Sequence, residues 1–97
     1  MVGREKNKEQ IYNEIMLKVG VLSDLDLPNN DKEKVEKLLR FRKDHSMTSY
    51  RFHKELVNST NSKTTLMTIM KFQKGELNKK GITEKVWSEL ERFIDSY

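Results

Sequence analysis

The 97-residue sequence contains no cysteine. That excludes a disulfide framework and any thiolate metal site. It has one proline, Pro28, and four glycines, and no internal repeat or low-complexity segment breaks it up. No apolar run approaches the ~18 residues of a membrane-spanning helix. No secretory signal pattern opens the chain, so the expected location is cytoplasmic, with no membrane partner. Asn58-Ser59-Thr60 fits a glycosylation acceptor pattern, which is set aside for the same reason. What remains is a chain with 35% charged and 35% hydrophobic residues, enough for one small domain.

The formal net charge of +4 is unevenly spread. Residues 1–22 sum to +1, residues 23–45 to 0 and residues 82–97 to −2. Residues 46–81 carry seven basic side chains (Arg51, Lys54, Lys63, Lys71, Lys74, Lys79, Lys80) and two acidic ones, for +5. A polyanion would be drawn to that stretch by its summed field. A solvated lysine-rich face is the plainer explanation.

Apolar residues recur at three- and four-residue spacing, with no convincing strand-length alternation. The expected fold is all-α, a single domain of about five helices. A first helix is predicted over Lys6 to Leu22, with Ile11, Ile15, Val19 and Leu22 on one face. The loop from Ser23 to Asn30 contains Pro28. The Asn30–Glu33 capping spacing starts a second helix near Asp31. Val35, Leu38, Leu39 and Arg42 form its stripe, and the first two helices make an N-terminal pair over 1–45. A third helix is predicted over Thr48 to Val57, buried on more than one side. A polar break, residues 58–61, separates it from a fourth helix running from Asn61 or Ser62 to Lys74. Gly75 suits a left-handed cap. The last element, within 82–97, is an amphipathic helix with Thr83 as N-cap, an Ile82–Trp87 staple and a stripe of Val86, Trp87, Leu90, Phe93, Ile94 and Tyr97.

On a helical wheel the fourth helix places Thr65, Leu66, Ile69, Met70, Phe72 and Gln73 on one side. Ser62 opens this helix, and Lys63, Thr64, Met67, Thr68, Lys71 and Lys74 lie on its other side. Threonine hydroxyls and lysines suit phosphates and base edges, and methionine suits the thymine methyl. Two helices joined by a polar turn over 48–75 have the layout of a helix-turn-helix. The segment SKTTLMTIMKFQKGE, followed by ITEKVWSELERFI, resembles the helix-turn-helix domain of the lambda-type phage repressor family, with a longer turn. The resemblance covers residues 48–97. It implies a repressor-like, phage or mobile-element type of transcriptional regulator that binds duplex DNA sequence-specifically. It also implies that the helix over 62–74 enters the major groove. Ser62, Lys63, Thr64, Met67, Thr68 and Lys71 would then lie at the DNA, with Lys74, Arg51, Lys79 and Lys80 as further candidate contacts.

Other chemistry is poorly supported. Residues 61–65 lack the glycines of a phosphate-binding loop. His45 and His53 have no ligand spacing for a metal, and no nucleophile or acid–base pair marks an enzyme. No cofactor is expected. His53 reads as a packed or hydrogen-bonded side chain. Arg40, Arg42 and Lys43 have two readings, as a phosphate clamp or as structural charges near a helix C-terminus. The helix carrying Trp87, Phe93 and Tyr97 serves either the core or a homodimer face. The competing function is a small protein-binding module, such as a phage-encoded inhibitor of a host protein, with Met47, Met67 and Met70 in an adaptable contact surface.

Overall fold

A computed structural model describes residues 7–76 and 84–97. Among these residues there are five helices and no strand: α1 (Lys8–Asp24), α2 (Asn29–His45), α3 (Ser49–Thr60), α4 (Leu66–Gln73) and α5 (Glu84–Ser96). None of them is long and apolar enough to cross a membrane. The all-α expectation holds. The boundaries differ where the backbone found better caps than the apolar pattern indicated.

Helix α1 opens with a reciprocal capping box. Asn7 Oδ1 accepts from the Gln10 amide at 2.8 Å, and Gln10 Oε1 accepts from the Asn7 amide at 3.1 Å. Helix α2 starts two residues before Asp31, without the Asn30–Glu33 cap. Pro28 occupies the cap position, and its carbonyl accepts from the amides of Asp31 and Lys32, each at 3.0 Å. The end of α2 is a Schellman turn: Ser46 has φ 52°, and the Met47 amide donates to the Arg42 carbonyl at 2.9 Å. This turn swings Met47 into the interior, so it is unavailable to a contact surface.

Thr48 caps α3 by accepting from the Arg51 amide at 3.1 Å. The helix runs three residues beyond the predicted Val57. Asn61, at φ 55°, closes it. Helix α4 is correspondingly shorter than predicted. Its N-cap is Thr65, which accepts from the Thr68 amide at 3.2 Å, and residues 61–65 form the connection. Gly75 ends this element as expected, at φ 84°, with the Glu76 amide donating to the Lys71 carbonyl at 3.1 Å. The predicted Thr83 cap and Ile82 staple lie outside the described residues.

All five helices contribute to one core. Ile11, Ile15 and Leu22 of α1 join Val35, Leu38, Leu39 and Phe41 of α2, Phe52 and Leu56 of α3, Ile69 and Phe72 of α4, and Leu90 and Phe93 of α5. The α5 stripe is spent inside this chain. Phe93 meets Phe41 and Phe52 edge-on at 5.8 and 5.3 Å, and Trp87 stacks on Phe72 at 5.5 Å. Tyr97 packs edge-on against Phe41 at 5.2 Å and donates to Glu55 Oε1 at 3.0 Å. The homodimer face expected through Trp87, Phe93 and Tyr97 is therefore largely occupied by intrachain packing. Lys37 of α2 adds ion pairs to Glu91 and Asp95, both at 3.0 Å.

Candidate nucleic-acid interface

The placement of α4 follows from its buried side. Ile69, Phe72 and Gln73 face inward, which turns Met67, Met70, Lys71 and Lys74 outward. Met67 is 65% exposed and Met70 44%. Met70 thus leaves the apolar side that the wheel assigned to it. No carboxylate lies on α4. Lys63 is exposed on the preceding connection and Lys54 on α3. Lys54, Lys63, Lys71 and Lys74 form no ion pair among the described residues.

The remaining candidate residues divide sharply. Arg51 is exposed, but its Nε donates to Glu55 Oε2 at 2.7 Å. That bond is the main reason the Glu55 carboxyl sits below its ordinary pKa. Thr68 is half-buried and its hydroxyl lies 3.0 Å from that of Thr65. Ser62 and Thr64 turn toward α5: the Ser62 hydroxyl donates to Glu89 Oε1, and Thr64 Oγ1 donates to the same oxygen at 3.3 Å. His53 Nε2–H donates to the Thr64 carbonyl at 2.8 Å, the hydrogen-bonded role expected of that histidine. Ser62 is therefore neither a helix cap nor an open phosphate ligand. A carboxylate beside both hydroxyls also repels an anion. Lys79 and Lys80 lie outside the described residues.

A groove runs beside this face, between α1 and the α3–α4 pair. Ile11, Leu66 and Met70 supply apolar surface, Tyr50 stands at its edge, and Lys8 and Lys54 line its polar part. Tyr50 is 63% exposed, so the expected burial of α3 on more than one side does not extend to its first turn.

Beneath α4 lies a polar cluster that the sequence did not reveal. Arg42 is fully buried. Its Nε donates to the Met47 carbonyl at 3.0 Å, Nη2 to Glu14 Oε1 at 2.7 Å, and Nη1 to Gln73 Oε1. Gln73 Nε2 in turn donates to Ser49 Oγ at 3.0 Å. One guanidinium thus joins α1, α2 and α4, and through Gln73 the start of α3. Burial pushes the Glu14 carboxyl upward, but hydrogen bonding and charge from Arg42, with help from Lys18, hold it below the ordinary range. Arg42 has no free face for a phosphate, whereas Arg40 and Lys43 are exposed, Arg40 pairing with Glu36 at 3.2 Å. The spacing of Arg42 with Leu38 and Leu39 was the available sign of burial. Its partners, 28 and 31 residues away, left no local trace. Among the described residues no group of three metal-ligating side chains occurs. No protein-family profile, curated protein or solved structure matches this chain.

Proposed function

We propose that this protein binds duplex DNA through the outward face of α4, as a small repressor-like regulator that occludes a promoter or a competing site. The observation that carries this reading is the set of exposed lysines on and beside α4, Lys63 before it, Lys71 on it and Lys74 at its cap, with Lys54 on α3, none of them ion-paired among the described residues and with no carboxylate on α4. Lysines spaced around an exposed helix neutralise phosphates on both sides of a groove, while Met67 and Thr68 meet base edges or a thymine methyl. Ser62 and Thr64 drop out of the contact set because Glu89 engages them. Arg51, tied to Glu55, serves its own helix first.

The test is a fluorescence-anisotropy titration with random duplex DNA at ~50 and ~200 mM salt. Four phosphate contacts predict roughly a hundredfold loss of affinity across that range. The triple variant Lys63→Glu, Lys71→Glu, Lys74→Glu, with unchanged helicity, loses binding at both salts. Absence of binding at ~50 mM salt, or binding untouched by the triple substitution, overturns the proposal. One observation favours the alternative, a protein-docking module: Tyr50, Met67 and Met70 are all exposed. That reading gains if the methionines, and not the lysines, control binding to a partner, with little dependence on salt.

A further inference from the structure

The charges that line the groove between α1 and the α3–α4 pair do not cancel. Four basic side chains, Lys8, Lys18, Arg51 and Lys54, stand against two carboxylates, Glu14 and Glu55. Both carboxylates are already committed. Glu14 holds the buried Arg42 at 2.7 Å and Lys18 at 3.4 Å. Glu55 holds Arg51 at 2.7 Å and accepts from the Tyr97 hydroxyl at 3.0 Å. Lys8 on α1 and Lys54 on α3 are exposed, lie on opposite walls and form no ion pair among the described residues. The apolar part of the lining is Ile11 on α1 with Leu66 and Met70, one turn apart on α4. Tyr50 stands one turn before Lys54 on α3, exposed at the edge.

From this lining we infer that the groove docks an acidic peptide segment of another protein, with large apolar side chains set among its carboxylates. Lys8 and Lys54 attract the carboxylates from the two walls, and the apolar side chains cover Leu66, Met70 and Tyr50. The groove holds about 1330 Å³, above the ~300–1,000 Å³ of small-molecule sites and enough for a peptide of several residues. Its charge sets the sign of the partner, since a basic segment would bring like charge against Lys8 and Lys54. Nucleic acid fits this lining less well. A phosphate backbone has no apolar group to set on Ile11, Leu66 and Met70. Single strands bind by stacking successive bases on aromatic rings. Among the lining residues only Tyr50 has a ring free for that, because the His45 ring packs against Phe41 at 4.5 Å and Tyr97 at 4.8 Å.

The experiment titrates the full chain into the fluorescein-labelled peptide EEDLFEDLFDEE and reads anisotropy at ~50 and ~200 mM salt. Two control peptides run alongside: EEDSSEDSSDEE keeps the charge without the apolar residues, and KKKLFKKLFKKK reverses the charge. Labelled oligothymidylate is titrated separately. The acidic apolar peptide is expected to bind in the micromolar range and to weaken in salt. The serine peptide binds at least tenfold more weakly, and the basic one does not bind. Lys8→Glu with Lys54→Glu abolishes binding, and Tyr50→Ser with Met70→Ser weakens it at least tenfold. All four side chains are exposed, so circular dichroism and melting temperature stay at the wild-type values. Lys71→Glu with Lys74→Glu changes the net charge equally but away from the lining, and weakens binding less than threefold. No binding up to ~500 µM overturns the inference. So do equal binding of the serine peptide, equal losses from the two charge-matched pairs, or oligothymidylate that binds more tightly than the peptide and is lost with Tyr50→Ser. The peptide titration contains no duplex DNA, and Lys63, Lys71 and Lys74 do not line the groove. Failure here therefore leaves the α4 proposal standing, and failure of duplex binding leaves this one standing.

Discussion

Two residues in the left-handed region carry opposite consequences. Gly75, at φ 84°, closes α4, and an added Cβ would come within 2.9 Å of Cδ1 of both Leu25 and Leu27. A side chain there suffers the left-handed penalty of about 1–2 kcal/mol, and the ends of two leucine side chains must shift to admit it. Gly75→Ala is therefore expected to destabilise by about 1–2 kcal/mol in a urea titration. Ser46 holds φ 52° without glycine's freedom. Ser46→Gly should relieve strain and raise stability by about 0.5–1 kcal/mol, since the Ser46 side chain makes no hydrogen bond among the described residues. Glu14 gives the protein an acid dependence. Its folded pKa lies below the ordinary value, so its contribution is present above the unfolded pKa and disappears as pH falls through the folded one. Thermal melts from pH 7 to pH 3 should show wild-type stability declining below the ordinary glutamate range. Glu14→Gln, already weaker at pH 7, should decline less. An equal slope in the two proteins would remove Glu14 from the cause.

At the scale of elements, α5 shows what periodicity can deliver. Its stripe was legible because Leu90, Phe93 and their neighbours repeat at helical spacing, and two of its residues are fully interior. Phe93 touches three aromatic rings. Phe93→Ala is expected to cost about 3–5 kcal/mol, measured as a lower urea midpoint, enough to threaten folding of a domain this small. The α3–α4 boundary was read less well, for a physical reason. The sequence Asn58 to Thr65 is a continuous run of polar residues apart from its length, and any of its hydroxyls can cap a helix. The deciding signal was Asn61, a residue that tolerates the left-handed conformation and ends α3 there. That choice leaves Ser62 and Thr64 in the connection, where Glu89 of α5 engages them. A contact 25 to 27 residues distant has no local signature. The outward Lys71 of α4 and Lys74 at its cap were legible because the buried side of that helix was.

At the scale of the molecule, the proposed α4 surface answers to electrostatics. It depends on uncompensated charge, so its binding weakens in salt. The Arg42 cluster bears on how that surface is held. It attaches α1 to α4 through one side chain that has no exposed atom from which water could begin to loosen it. Breaking α1 away would strand a guanidinium charge in the interior, which is strongly unfavourable. In amide hydrogen exchange, α1 is thereby expected to open together with α4 as one cooperative unit, not to fray on its own as terminal helices commonly do.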